Sequence, residues 1–235
     1  MASKDSSLAV DSFRYIPPNM DEEECVIYDE ITTTSTTIDA TKTTIDITQK
    51  PTDTTPTKID ITLTPTKDCI IYDFENDFDD LFTSNSGLCT NQPSFILKYF
   101  DTAGITSPHP SSTRFISPPV SNGCVSSFSF PIENNGIVEV NVYMDENSHQ
   151  SDFIIVLIQS IDENGIESTI TNLMYSPSQS TFVAGWTTLR LELLMLAPAQ
   201  GLVRYSYVKH DLLVELHSRS FELLFKRNYY YNDDF

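Results

Sequence analysis

Between residues 94 and 208 the sequence repeats one pattern, a short segment of alternating apolar and polar residues followed by a turn. In the clearest example, GIVEVNVYM at 136–144, Val138, Val140 and Val142 occupy every second position. This alternation is typical of a β-strand with one buried face, because successive side chains of a strand point to opposite sides. Comparable segments lie at 94–100, 113–117, 124–132, 152–161, 167–176, 186–196 and 201–208.

Turn-forming sequences such as ENNG, DENG and SPSQS separate these segments. None of the intervals is long enough for the helix that joins two parallel strands. The sequence therefore predicts an all-β domain over residues 69–210, a β-sandwich or jelly roll with antiparallel sheets.

One further strand is predicted far from the others, at residues 8–16, and Pro17 and Pro18 end it. An acidic turn with Asp21–Glu24 follows it. Because a single strand has no partner for its backbone hydrogen bonds, this segment cannot form a domain by itself.

The sequence between these two parts is dominated by threonine. Sixteen of the thirty-six residues at 31–66 are Thr, with three prolines and no aromatic residue. So little apolar surface cannot offset the entropy lost on folding, which predicts a disordered linker or stalk over 26–68. Threonine-rich sequence with proline is also typical of an O-glycosylated stalk.

Residues 211–235 differ again in composition and are interpreted as an atypical tail or an amphipathic helix. Leucines recur near helical spacing, at positions 212, 213, 216, 223 and 224.

The chain is strongly acidic, with 33 Asp and Glu against 14 Lys and Arg and a formal charge of −19. Such a surface repels nucleic acids and anionic membranes, so neither is an expected partner. No apolar run is long enough to cross a bilayer, so no direct membrane insertion is expected. Residues 1–18 also lack the apolar centre of a signal peptide, which taken alone would place the chain in the cytosol.

No sequence pattern of an enzyme is present. The four histidines are isolated from the cysteines, and nucleophile-elbow, zinc-protease and phosphate-loop motifs are absent. The four cysteines, Cys25, Cys69, Cys89 and Cys124, are too widely spaced for a zinc site and are predicted to form disulfides. Three pairings are open, and spacing does not choose among them.

Residues 69–208 contain a series of distinctive phrases. They are Cys69 with Phe74 and Glu75, then Cys89, the FISP phrase at 115–118, the cysteine-led aromatic strand 124–130, and Trp186 with Thr187. In order and type these phrases resemble the MAM domain, an extracellular jelly-roll module of adhesion receptors. The resemblance implies a non-enzymatic adhesion or recognition module, extracellular or membrane-associated at the cell surface. Its partners would be other proteins or a second copy of the chain.

Residues 6–25 are similar to the strand and cysteine that close a MAM unit, so 1–25 is interpreted as such a closing strand. The chain is then expected to be a fragment of a tandem protein, which would account for the missing signal peptide. If the 8–16 strand completes an unpaired edge of the sandwich, the implied disulfides are Cys69–Cys89 and Cys25–Cys124.

Two ligand predictions complete the sequence analysis. Five carboxylates between 73 and 80 suit a calcium ion, and the resemblance favours Asp73, Glu75 and Asp77 as its ligands; no other cofactor is expected. A carbohydrate-binding jelly roll is the alternative function, with Tyr99, Tyr143, Tyr205 and Tyr207 as candidate sugar platforms. An inert structural spacer is the third alternative.

Overall fold

A computed structural model describes residues 8–28, 68–76, 78–119 and 122–209. Two antiparallel sheets pack face to face, which confirms the predicted all-β sandwich. The strands are β1 (Leu8–Ile16), β2 (Ile70–Tyr72), β3 (Ile96–Tyr99), β4 (Arg114–Ser117), β5 (Asn122–Ser126), β6 (Phe130–Ile132), β7 (Ile137–Met144), β8 (Phe153–Ile161), β9 (Glu167–Tyr175), β10 (Gly185–Glu192) and β11 (Ala199–Val208). Two short helices are α1 (Phe78–Leu81) and α2 (Phe100–Ala103), and single 3₁₀ turns lie at Glu22–Glu24 and Gly87–Cys89.

The larger sheet has the order β10-β7-β1-β4-β3, with β2 also paired to β1. The smaller sheet has the order β5-β11-β8-β9, with β6 paired to the other end of β11. Apolar side chains from the facing sides of both sheets form the main core, among them Val10, Phe13, Val140, Val156 and Val203.

Strand β1 lies inside the larger sheet, between β7 and β4. The sequence interpretation had placed it at an edge. It pairs with β7 along its whole length, from Leu8 opposite Met144 to Ile16 opposite Ile137. On its other side it pairs with β4 and then with β2. Eight of its nine residues are buried, and the exception, Arg14, is partly buried. The described residues on both sides of the threonine-rich segment therefore build one sandwich.

The disulfides join Cys25 to Cys69 and Cys89 to Cys124, so the expected pairing Cys69–Cys89 and Cys25–Cys124 is wrong. Antiparallel pairing of β1 with β2 places Tyr15 opposite Ile70. The chain leaving β1 therefore passes close to the chain entering β2, and the Cα atoms of Cys25 and Cys69 lie 5.6 Å apart. The two cysteines that the tandem interpretation assigned to successive units are thus bonded to each other within one sandwich.

Several element boundaries differ from the sequence prediction. The strand expected at 94–100 ends at Tyr99, where the chain turns into α2, and Gly104 ends that helix with a left-handed backbone (φ 70°). The strand expected at 124–132 is interrupted between β5 and β6, where the Ser127 amide donates to the Val203 carbonyl at 2.8 Å. The short strand β2 was not predicted, because three residues are too few for alternation to be visible.

The threonine-rich segment 29–67, the tail 210–235 and Asp77 lie outside the described residues. The linker and tail predictions therefore stay predictions. Within the described ranges, no helix is both long and apolar enough to cross a membrane.

Candidate functional site

The outer face of the larger sheet carries three rows of side chains that run across β10, β7 and β1. Strand pairing aligns the rows, because each outward position on β7 has a partner on both neighbouring strands. We call this surface the outer ladder. Its rows, in the order β10, β7, β1, are Trp186, Tyr143 and Ala9; Thr188, Asn141 and Ser12; and Arg190, Glu139 and Arg14.

The first row is aromatic. The rings of Trp186 and Tyr143 have centroids 5.4 Å apart, and Trp186 meets Phe100 edge-on at 5.9 Å. The indole N–H of Trp186 donates to the carbonyl of Thr106 at 2.7 Å. A small second core supports both rings from below, and these contacts hold them in fixed orientations. That core consists of Ala9, Phe100, Ile105 and Phe115.

The second row is a chain of hydrogen bonds. The Thr188 hydroxyl donates to Asn141 Oδ1 at 2.8 Å, and Asn141 Nδ2 donates to the Ser12 hydroxyl at 3.0 Å. Ser12 in turn donates to a carboxylate oxygen of Asp11 at 2.9 Å. Because both ends of the Asn141 amide are engaged, its orientation on the surface is fixed.

The third row is an ion-pair network centred on Glu139. This carboxylate is nearly buried and lies between two arginines, with Arg14 Nε and Arg190 Nη1 each at 2.8 Å. Arg190 also pairs with Glu22 on the 3₁₀ turn, at 2.5 Å. This hydrogen bond lowers the pKa of Glu22 and raises that of Arg190. Both remain substantially exposed, so Arg190 is oriented and still accessible.

A buried carboxylate, Asp11, lies beside the second row and fastens it to two loops. A β-bulge in β1 between Val10 and Ser12 frees Asp11 from regular pairing, and bulges commonly redirect a side chain in this way. Besides Ser12, the carboxylate accepts hydrogen bonds from Tyr28 at 2.7 Å and from the Ser112 hydroxyl.

The Tyr28 ring stacks flat on His109, with centroids 4.4 Å apart. Burial raises the pKa of Asp11, although the three hydroxyl donors oppose that shift. Asp11 therefore joins β1 to the segment after Cys25 and to the loop before β4.

Asp73 and Glu75, two of the three residues predicted for calcium, occupy a tight corner between β2 and α1. Phe74 has a left-handed backbone (φ 58°) with a fully buried side chain, a conformation that non-glycine residues adopt rarely. Glu75 reaches β4, where its Oε1 accepts the backbone N–H groups of Thr113 at 2.7 Å and Arg114 at 2.9 Å. Asp73 accepts the amide of Glu75 itself at 3.1 Å.

These contacts give Glu75 a structural role as a clamp between two loops. Within the described part of the chain, no group of three or more Asp, Glu, His or Cys side chains is arranged to hold a metal ion. Asp77 is not among the described residues, so the calcium site stays a prediction.

The four tyrosines considered as sugar platforms lie in different environments. Tyr205 and Tyr207 are buried in the main core, so neither can meet a ligand at the surface. Tyr99 is exposed on the edge strand β3, with the Arg114 guanidinium 5.2 Å from its ring centroid. Of the four, Tyr143 alone belongs to the outer ladder.

Sequence reasoning missed the polar residues that organise these surfaces. Arg204 is fully buried on the outer side of β11, where its guanidinium binds both oxygens of Glu167 at 2.9 and 3.0 Å. It also donates to Ser126 at 2.7 Å and to Gln159. A charged residue at an outward position of a strand gave no sign of burial. The covering segment around Cys89 comes from a distant part of the sequence.

The outer ladder is suited to binding and offers no evident covalent chemistry. It combines a tryptophan, a tyrosine and an arginine, the residue types that are enriched where proteins bind one another. Comparison with known proteins found no matching family model, no matching curated protein and no matching solved structure. The resemblance to MAM domains therefore stays a prediction.

Proposed function

We propose that this chain is a non-enzymatic recognition module of the extracellular space or cell surface, MAM-like in organisation, which binds protein partners through the outer ladder. One observation carries this proposal: Trp186 and Tyr143 lie side by side in the first row of the outer ladder, and Arg190 lies on the same face in the third row. Each is oriented by its own contacts. Such residues dominate binding energy at protein interfaces.

Orientation before binding favours affinity, because a side chain that is already ordered loses little entropy when a partner docks. Trp186 is held by Thr106, Asn141 by its two hydroxyl neighbours, and Arg190 by Glu139 and Glu22. The ladder therefore presents aromatic, amide and cationic groups in a fixed arrangement. A partner with an acidic group placed to meet Arg190 and an apolar surface for Tyr143 would fit it.

The disulfides support the proposed compartment. All four cysteines are paired, and disulfides persist in oxidising environments such as the cell exterior. The net charge of −19 opposes non-specific binding to nucleic acids, in keeping with this location.

Carbohydrate binding remains the second candidate, and it is favoured by the same surface. The Tyr143 ring lies next to the Asn141 amide and the exposed Thr188 hydroxyl, so an apolar plane adjoins neutral hydrogen-bonding groups. Sugars present that combination of apolar faces and hydroxyl groups. Binding of this kind would depend on Tyr143 and Asn141 and would not require Arg190.

The test is a pair of parallel screens with the disulfide-bonded chain produced in a secretory pathway and displayed as a multivalent probe. One screen uses an array of extracellular protein domains, including this chain itself, and the other uses a glycan array. We expect selective protein binding that is lost in Tyr143→Ser and Arg190→Glu. Ile166→Ser is the matched control, because Ile166 is 60% exposed in the turn before β9, away from the ladder.

The outcomes separate the candidates. Selective glycan binding that survives Arg190→Glu would replace the proposal with the carbohydrate alternative. Protein binding that persists in both ladder variants would exclude the outer ladder as the binding surface. An absence of selective binding in both screens would favour an inert spacer.

A further inference from the structure

Strand β10 forms an edge of the larger sheet, and the backbone groups on its outer side can be identified. Leu193, the residue after β10, donates its amide to the Gly136 carbonyl at 2.9 Å and accepts the Asn135 amide at 2.8 Å. Both backbone groups of Leu193 therefore point toward the β7 side. Because these groups alternate in direction along an antiparallel strand, those of every second residue of β10 point away from β7. These residues are Trp186, Thr188, Arg190 and Glu192.

The other edges of the two sheets carry features that hinder pairing with a further strand. Strands β2, β3 and β6 are only three or four residues long. The outer side of β5 is covered, because Ser126 exchanges two backbone hydrogen bonds with Thr83, at 2.8 and 2.9 Å. Strand β9 has an irregular register opposite Ile158 and Gln159. Short strands, covering segments and bulges are the usual means by which proteins block an edge.

Strand β10 has none of these features. It is eight residues long, pairs with β7 without a register shift, and contains no proline or lysine. Leu189 and Leu191 are buried, whereas Thr188 and Arg190 are exposed. Within the part of the chain that the structure describes, no strand pairs with its outer side. A long and regular edge of this kind is a template for the addition of another strand.

A second copy of β10 complements this edge. Antiparallel pairing around a twofold axis at Thr188 places Thr188 opposite itself and Trp186 opposite Arg190 of the second copy. All of these residues direct their backbone groups to the edge, so each pair can exchange two hydrogen bonds. Outward side chains then meet outward side chains, and the buried Leu189 lies opposite Thr187 on the core side.

The charges on the strand also permit this pairing. Arg190 pairs with Glu22 and Glu139 of its own chain, so its charge is balanced before two copies meet. In this register it lies opposite the aromatic Trp186, and no like charges of β10 face each other. Centring the pair on Arg190 would instead oppose two arginines, which destabilises a sheet. The charge of −19 on each chain opposes association at low ionic strength, and salt screens that repulsion.

We propose that two copies of the chain associate by antiparallel pairing of their β10 strands, centred on Thr188, so that their larger sheets become one continuous sheet. The two outer ladders then lie side by side on the same face of that sheet. A partner with two binding sites would be held by both ladders at once. The dimer uses the backbone edge of β10 and does not require Tyr143, so it goes beyond the proposed function and can be tested separately from it.

The test is the molar mass of the disulfide-bonded chain in analytical ultracentrifugation, from about 1 μM to about 1 mM protein at about 0.15 M salt. We expect the mass to double as the concentration rises. Thr188→Pro should keep the protein monomeric, because it removes the central donor of the edge and places a ring against the second strand. Thr188→Ala retains that donor and should dimerise like the wild type.

A charge exchange at the same position tests the register. Thr188→Glu and Thr188→Lys should each be monomeric, because like charges would face each other across the twofold axis. An equal mixture of the two variants should form a heterodimer, because opposite charges then face each other. If Thr188→Pro does not fold, this mixture still decides the question.

Two further variants are controls. Thr169→Pro places the same residue on the edge strand β9, where Thr169 is exposed, and the dimer should persist. Tyr143→Ser, which is expected to abolish partner binding by the outer ladder, should also keep the dimer. Failure of the proposed function would therefore leave the dimer intact, and failure of the dimer would leave the ladder to be tested on its own.

Amide hydrogen exchange locates the contact. The amides of Trp186, Thr188 and Arg190 should exchange at least about tenfold more slowly in the dimer than in the monomer. A monomer over the whole concentration range would overturn the proposal, as would a dimer that persists in Thr188→Pro or a mixture that stays monomeric. Slow exchange of these amides in a monomer, independent of concentration, would also overturn it, because another segment of the same chain would then pair with β10.

Discussion

Asp11 illustrates how a single bulged residue can hold separate segments together. Its carboxylate is buried and accepts three hydroxyl hydrogen bonds, from Ser12, Tyr28 and Ser112. A buried carboxylate without a cationic partner favours its neutral form. The negative charge of Glu75 acts in the same direction, and together with burial it raises the pKa of Asp11 in the folded protein.

This shift predicts a pH dependence that Asp11→Asn should remove. Because the folded-state pKa lies above the ordinary 3.8, the folded protein binds this proton more tightly than the unfolded chain. The resulting stabilisation is complete below that value and is lost as the pH rises through the folded-state pKa. The free energy of unfolding of the wild type, relative to Asp11→Asn, should therefore fall as the pH rises above about 4. Urea titrations at several pH values measure it, and a constant difference would contradict the assignment.

Two buried tyrosines provide a matched test of hydrogen bonding. Among the described residues, the hydroxyl of Tyr205 is buried with no hydrogen-bond partner, whereas the Tyr15 hydroxyl accepts the Glu133 amide at 2.9 Å. We expect Tyr205→Phe to raise the free energy of unfolding by about 1 kcal/mol, because it removes an unpaired polar group. Tyr15→Phe should lower it by about 1–3 kcal/mol, because it leaves the Glu133 amide unpaired. Equal effects in urea denaturation would show that the two hydroxyls do not differ in this way.

Glu75 has an observed structural role and a predicted role as a calcium ligand. Removing its carboxylate in Glu75→Ala leaves the Thr113 and Arg114 amides without an acceptor, so we expect a loss of about 1–3 kcal/mol in the presence of EDTA. The calcium prediction adds that Ca²⁺ raises the melting temperature of the wild type and not of the variant. Calorimetric melting with and without Ca²⁺ measures both effects. No calcium response in the wild type would exclude the site.

At the scale of elements, the two disulfides fasten the parts of the sandwich that are least continuous in sequence. Cys25–Cys69 ties β1 to β2, and Cys89–Cys124 ties the covering segment to β5. The loops they close are of similar length, with sequence separations of 44 and 35 residues. Chain entropy therefore predicts similar stabilisation by each, about 4 kcal/mol.

The corresponding prediction is that Cys25→Ser with Cys69→Ser, and Cys89→Ser with Cys124→Ser, each lower the free energy of unfolding by about 2–4 kcal/mol. Mass spectrometry of non-reduced peptides should recover Cys25–Cys69 and Cys89–Cys124. Recovery of Cys69–Cys89 and Cys25–Cys124 would instead restore the pairing that the sequence resemblance implied and reject the arrangement of β1 beside β2.

The sequence predicted the strands well where the alternation of apolar and polar residues is long. It predicted them less well where tertiary contacts determine the position or the boundaries of a strand. Strand β7 was predicted to within a residue, because Val138, Val140 and Val142 report one buried face directly. The position of β1 could not be read from sequence, since β7, with which it pairs along its whole length, is more than a hundred residues away, as in the pair Phe13 and Val140. For the same reason the sequence did not reveal the outer ladder as a binding surface. Of its residues, only Tyr143 was predicted to bind a ligand. Pairing between distant strands aligns its rows, and alternation within one strand shows which side chains share a face but not which distant strand lies beside them.

The molecule as a whole carries far more negative than positive charge. Three arginines, Arg14, Arg190 and Arg204, are engaged by carboxylates, so they do little to neutralise the remaining acidic surface. Repulsion among like charges destabilises a compact state, and salt weakens that repulsion beyond about 10 Å at 0.1 M.

We therefore expect the melting temperature at neutral pH to rise as sodium chloride increases from about 0.02 M to about 0.5 M. The buried pair of Arg204 and Glu167 should be affected little, because salt screens buried charges weakly. Arg204→Met with Glu167→Met should keep the same salt response. A melting temperature that falls with salt would mean that surface ion pairs outweigh the net repulsion.

The bond between Cys25 and Cys69 also fixes what happens when the polypeptide is cut between them. A protease that cleaves anywhere in 29–67 produces two chains, but the smaller one keeps β1 in the middle of the larger sheet and stays covalently attached. The nicked molecule would migrate as one species on a non-reducing gel and separate into two after reduction. The architecture therefore makes a single-chain protein and a disulfide-linked heterodimer two forms of the same fold.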